Sequence, residues 1–259
     1  ITAPSTRSRR GASGCATSTR ETPVNFLFHF ELASHDSGRD RVGVGAMLPD
    51  FWRMVARPAR ARRDVSSELG GADEGVSDLL EGVRHHLAAD LWFHKSPFFS
   101  EGEAEASAAL ALTGSKRMAL FGHVVWEMCL DGALLRLVGR EQLAARVTAA
   151  IAASREAAAK AADIHHRDAR ERAGVEPAVF ETRMGRLFDA VASFALPDGY
   201  MHAAGVALRT RGVRASFGLP EPTPDELESW QQAIRSLEPA ADRAARGITS
   251  RRPCLCSAP

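Results

Sequence analysis

The stretch Leu120-Phe-Gly-His-Val-Val-Trp-Glu-Met-Cys-Leu-Asp-Gly-Ala-Leu-Leu135 is apolar on nearly every side of a helix, yet it carries His123, Glu127 and Asp131 at i, i+4 and i+8. Side chains at that spacing share one helix face. A helix that is hydrophobic all round belongs in a core, where an ionisable group is costly unless it is paired or binds a metal. About thirty residues upstream, Glu81–Lys95 repeats the pattern with His86, Asp90 and His94. Two apolar helices therefore carry matching ladders of imidazole and carboxylate.

Neutral imidazole and carboxylate together are a ligand set for Mn, Fe, Zn or Ni, and side chains at i and i+4 stand about 5–6 Å apart at Cβ, close enough to grip one ion. A metal site between the two helices is one reading of the ladders. A buried hydrogen-bonded network is another, and polar faces turned to solvent are a third.

The remaining helical-length apolar runs, the abundance of Ala and the single Tyr predict an all-α protein. Its length of 259 residues suits one domain with a substantial core. With 33 basic and 32 acidic residues the charge gives no argument for a nucleic-acid partner. No uninterrupted run reaches the roughly 18 apolar residues of a membrane span. The four cysteines, Cys15, Cys129, Cys254 and Cys256, form no disulfide framework, so a reducing cytoplasm is expected. No glycine-rich nucleotide loop, nucleophile elbow or internal repeat is present.

Along the chain, residues 1–23 are rich in Ser, Thr, Arg and Gly and read as a disordered or extraneous extension. Residues 24–247 form the predicted single-domain helical bundle, and 248–259 a frayed tail in which Cys254-Leu-Cys256 is weak evidence for a metal. His29 lies among aromatics, where a satisfied core histidine is the commoner meaning. Asp50, just after Pro49, is either a ligand or a helix N-cap. Arg53–Asp64 is a basic run suited to a solvated face, and 66–75 a loop before a helix beginning near Ser77. Ser96-Pro97 should end that helix, with another over Glu101–Ala111. Glu141–Arg172 is a charged, Ala-rich helix whose His165-His166 pair suits solvated surface. Val175–Leu196 is amphipathic, with Val179, Met184, Leu187, Phe188, Val191 and Phe194 as core candidates. Met201–Leu208 forms a short helix, behind which Arg209, Arg211 and Arg214 are either an ordinary exposed cluster or an anion-binding group. Thr223-Pro-Asp-Glu226 combines a capping box with proline at the first helical position and opens the last helix.

The order of four motifs resembles the bacterial acyl carrier protein phosphodiesterase family. They are Val24-Asn-Phe-Leu-Phe-His-Phe-Glu-Leu-Ala33, Gly45-Ala-Met-Leu-Pro-Asp-Phe51, Gly82-Val-Arg-His-His-Leu-Ala-Ala-Asp90 and Gly122-His-Val-Val-Trp-Glu-Met-Cys-Leu130. The match covers roughly Val24–Leu135, with weaker similarity through Tyr200–Arg214, and it puts Val24 where the family has its initiator Met. The resemblance implies an all-α fold distantly like the HD-type metal phosphohydrolases. It also implies release of 4′-phosphopantetheine from holo-acyl carrier protein with a divalent metal, Mn first and Zn, Fe or Mg after it. His29, Asp50, His86 and Asp90 match the family's polar positions. The chain departs from the family at His94 and His123, where Asp is usual, at Glu127, also for Asp, and at Met128 and Arg84, for His. Imidazole in place of carboxylate keeps a ligand but changes the charge and metal preference of a site.

Metal-assisted hydrolysis of a phosphodiester is the chemistry implied. The candidate metal ligands are His29, Asp50, His86, Asp90, His94, His123 and Glu127. Asp90, Glu127 and Asp131 are the candidate catalytic carboxylates, and Arg209, Arg211 and Arg214 the candidate phosphate binders. Two other readings share the ladders: another metal phosphoesterase, such as one resembling zinc phospholipase C, and a non-enzymatic bundle in which the ladders are structural.

Overall fold

The computed structural model describes residues 25–56, 73–172 and 174–251, the side chains of 164–172 and 251 excepted. The N-terminal extension, most of the basic run and the following loop, the His165-His166 side chains and the Cys254–Cys256 pair fall outside this set. The described residues form nine α-helices and no strand, as the composition predicts.

Helix α1 (Phe26–Ser37) turns back into α2 (Asp40–Val55) through Gly38, whose φ of 69° is left-handed and therefore suits glycine. Asp50 lies inside α2, one residue after a proline that the helix tolerates, so it is no N-cap. Helix α3 (Glu74–Phe93) starts ahead of the expected Ser77, because Asp73 caps it by accepting from the Val76 N–H at 2.9 Å. Helix α4 (Pro97–Ala111) also starts early: Pro97 ends nothing further, since α3 has stopped at Phe93, and instead occupies the first turn of α4.

A 3-10 turn (Met118–Phe121) leads into α5 (Gly122–Val138), followed by α6 (Arg140–Arg172) and α7 (Pro177–Ala192). A second 3-10 turn (Pro197–Met201) precedes α8 (Ala203–Ser216), which is longer than the helix expected over Met201–Leu208 and takes in all three arginines. In α9 (Pro224–Arg251) the capping box closes as the sequence predicts. The Thr223 N–H donates to Glu226 Oε2 at 2.9 Å, and the Glu226 N–H donates to Thr223 Oγ1 at 3.2 Å. The same helix runs past the expected tail boundary, burying Ile248 completely. Of the α7 core candidates only Val179 faces outward, 43% exposed.

Helix α5 is central, covered by α1, α4, α6, α8 and α9, and buries Val125, Trp126, Met128, Leu130, Leu134 and Leu135. By length and composition Met118–Val138 is apolar enough to cross a membrane, its most apolar 18-residue window having a mean hydropathy of 1.4, but 83% of that window is buried in the bundle. Leu120, 76% exposed, is an exception at its margin.

The most extensive helix pair is α2 with α3. Their closest approach is glycine against backbone. A Cβ on Gly45 would lie 2.2 Å from Leu79 O, and one on Gly82 would lie 2.1 Å from Val42 O. Neither position has room for any other residue, and that contact sets the register of the two helices one turn before the first ladder begins.

Candidate metal centre

Five helices deliver side chains to one place: His29 from α1, Asp50 from α2, His86 and Asp90 from α3 with His94 at its C-cap, Glu103 from α4, and His123 and Glu127 from α5. They fall into two triads. The ligand-capable atoms of His29, His86 and Asp90 lie within 4.8 Å of one another, and so do those of His94, His123 and Glu127. Asp90 stands between the triads. Its Oδ1 is 3.2 Å from His29 Nε2 and 3.7 Å from His94 Nε2, while its Oδ2 is 3.4 Å from His86 Nε2.

The glycine-tight crossing of α2 and α3 fixes the first triad. One turn beyond Gly82, His86 Nδ1 lies 2.8 Å from Ala46 O, and since a carbonyl can only accept, Nδ1 carries the proton. His86 Nε2 then points at Asp90 and, at 3.8 Å, at Asp50 Oδ1. A neutral ring would face these carboxylates with a lone pair, whereas a second proton or a cation at Nε2 would be matched by them. The His29 ring lies 3.9 Å from the His86 ring, centroid to centroid. His29 Nδ1 and Asp50 Oδ2 are buried without a hydrogen-bond partner among the described residues, and His29 Nε2 has only the Asp90 carboxylate, at 3.2 Å. A buried polar atom left unmatched costs about 1–3 kcal/mol. A cation among these atoms would match them, so the donor set fits a divalent metal.

The proton affinities follow the same crowding. Burial, reinforced by His86, pushes His29 down to about 4. Burial lowers His86 too, but Asp90 and Asp50 outweigh it and bring that group up to about 9. Asp50 is pushed up to about 7 by burial, with His86 opposing and Asp90 and Glu127 adding to the rise. Burial also raises Asp90, but His86 and His29 hold it well below the usual carboxylate range.

Asp131 does not join the ligand atoms. Both of its oxygens accept from α1 backbone, Oδ2 from the Leu27 N–H at 3.2 Å and Oδ1 from the Phe28 N–H at 3.0 Å, so it caps the helix that carries His29. Burial holds its pKa well above the ordinary range against the pull of those two donors. The three arginines are likewise engaged elsewhere. Arg209 donates to Ala195 O at 3.1 Å, and Arg211 pairs with Glu221. Arg214 is buried, 4.7 Å over the Trp230 ring. Cys129 stays a thiol, its pKa pushed up to about 12 by burial.

Two members of the neighbourhood are not singled out by the sequence. Glu103 belongs to an acid-rich stretch with Glu101 and Glu105 and has no apolar frame to mark it. His85 lies next to His86 but a helical step away, and it forms a separate buried pair with Asp36 at 3.0 Å. The neighbouring cavities are small or remote. One of about 10 Å³ beside His29 is lined by Asn25, Phe28 and Phe93. One of about 110 Å³ lies between α6 and α7 and includes no cluster residue.

Comparison with protein-family models, with curated proteins and with solved structures finds no match to this chain.

Proposed function

We propose that the protein is a metal-dependent phosphodiester hydrolase whose metal is held by His29, His86 and Asp90, with Asp50 beside them. The observation that carries this reading is His86. With Nδ1 committed to a backbone carbonyl, its Nε2 faces two carboxylates and is oriented for a cation. The site also meets solvent, since the Asp90 side chain is 37% exposed and that of His94 32%. A divalent ion held there supplies the Lewis acidity that polarises a phosphoryl oxygen and lowers the pKa of a water. The residues of this chain do the rest. Ala46 O fixes the His86 tautomer, the buried rings of His29 and His86 keep the inner side dry, and Asp90 holds negative charge at the mouth.

The substrate in this reading is the 4′-phosphopantetheine diester of holo-acyl carrier protein, supported by the four-motif resemblance. The test is metal analysis of protein purified without chelator, followed by assay on holo-acyl carrier protein and on a small aryl phosphodiester. Release of phosphopantetheine that stops on chelation and returns with Mn2+ is expected. Hydrolysis of the small diester alone would remove the carrier-protein substrate, and absence of both activities in metal-replete protein would remove the hydrolase.

A specific observation favours the structural alternative as well. A His86 that stays protonated up to about pH 9 makes a metal-free ion pair with Asp90. Metal content near zero, with no melting shift on adding Mn2+ or Zn2+, would establish that alternative.

A further inference from the structure

The second triad presents a charge-matching problem of its own. His123 has a carboxylate at each ring nitrogen: Glu103 Oε1 lies 3.2 Å from Nδ1, and Glu127 Oε1 lies 3.2 Å from Nε2. A neutral imidazole has one N–H and can satisfy only one of them. Glu103 is the outer partner, 40% exposed, whereas Glu127 is buried and its Oε2 has no hydrogen-bond partner among the described residues. A proton on Nδ1 directed to Glu103 leaves Nε2 bare toward the buried carboxylate. Carboxylate, imidazole and cation in that order are the usual support of a metal-bound histidine.

His94 completes the set. Its ring stacks on that of His123 at 5.1 Å and 10°. Phe99 meets both rings edge-on, at 4.4 and 4.8 Å, so neither imidazole swings away without losing a buried aromatic contact. Two imidazoles and one carboxylate, open on the solvent side at His94, match the three-ligand set of an open zinc site.

We infer that His94, His123 and Glu127 form a second divalent-cation site, distinct from the His29–His86–Asp90 site, with Glu103 orienting His123 and Asp90 standing between the two. The site takes an ion of the imidazole-preferring class, Zn2+ or Co2+, while the first, with two carboxylates at hand, suits Mn2+ better. The inference concerns the site next to the one proposed for hydrolysis and does not need that activity to be correct.

The experiment is titration of the metal-free full chain with Co2+, read by visible absorption and equilibrium dialysis, on wild type and on His123→Gln, His94→Gln, His29→Gln and Glu103→Gln. Circular dichroism and melting of each metal-free variant show that it is folded. Should His123→Gln fail to fold, the more exposed His94→Gln decides. Wild type is expected to bind two equivalents, His123→Gln and His94→Gln one each, and His29→Gln one with the visible bands retained. Glu103→Gln should keep two equivalents while weakening one by roughly ten- to a hundredfold. Two equivalents surviving in both His123→Gln and His94→Gln would overturn the inference, as would one wild-type equivalent that His29→Gln abolishes. One equivalent abolished by His123→Gln and untouched by His29→Gln would uphold the second site and remove the first, on which the hydrolase reading depends.

Discussion

At the scale of single residues, one helical face of α5 is divided between two tasks. His123 and Glu127 belong to the cluster with His94, and Asp131, one turn on, caps α1. Asp131→Asn should separate these tasks. An amide has one accepting oxygen, so its NH2 must face one of the two backbone donors, and the metal-free protein should lose about 1–3 kcal/mol. Metal stoichiometry should stay unchanged. Urea unfolding with metal analysis checks both, and metal lost without destabilisation would place Asp131 among the ligands.

His86 makes a second prediction at this scale. Its pKa is raised in the folded chain, to about 9 from an ordinary 6.5, so the stabilisation from its charged form is complete below 6.5 and is lost as pH rises through 9. The melting temperature of the metal-free protein should carry this decline between pH 7 and 9. The metal-bound form should lack it, because there the proton has already left. Calorimetry in buffers of different ionisation enthalpy should accordingly show proton release when metal binds at pH 7. The sequence shows these residues as a ladder by spacing alone. Which member faces a ligand and which faces a helix end depends on contacts such as Leu27 to Asp131, and spacing carries no information about those.

At the scale of elements, α2 and α3 cross where Gly45 and Gly82 leave backbone against backbone, and His86 reaches Ala46 only because of that closeness. Gly82→Ala places a methyl 2.1 Å from Val42 O and should cost about 1–3 kcal/mol or more while weakening metal binding. Gly212→Ala in α8 meets nothing within 4 Å and should be neutral or stabilising by about 0.5–1 kcal/mol. Thermal melting of the pair checks the contrast, and equal effects would mean that the crossing does not determine the site. Helix existence and several ends were legible, through the Thr223–Glu226 box and the helical length of the apolar run that forms α5. The starts of α3 and α4 were not. Asp73 sits in a stretch of loop-like composition, and Pro97 reads equally as a stop for one helix and a start for the next. The glycines in the crossing read only as weak helix formers, since nothing local shows what they touch.

For the whole molecule, the all-α class follows from composition and run length, but the convergence of five helices on one cluster does not, because it depends on relative rotations that no single segment encodes. The arginines on α8 show the same limit, since their proximity in sequence suggested a common partner and the fold gives each a different one. The candidate ligands span His29 to Glu127, and the Asp131 cap ties Leu27 to a residue 104 positions away. Closing so long a loop is slow and comes before any local reward. A cation therefore finds no assembled site in the unfolded chain and few of its ligands gathered at the folding barrier. Stopped-flow measurements should show a refolding rate nearly indifferent to added Mn2+ or Zn2+ and an unfolding rate slowed by it. The Asp131 cap, which anchors the start of α1, would thus make a bound metal a brake on unfolding instead of a template for folding, and the protein's lifetime, more than its yield, would follow the metal supply.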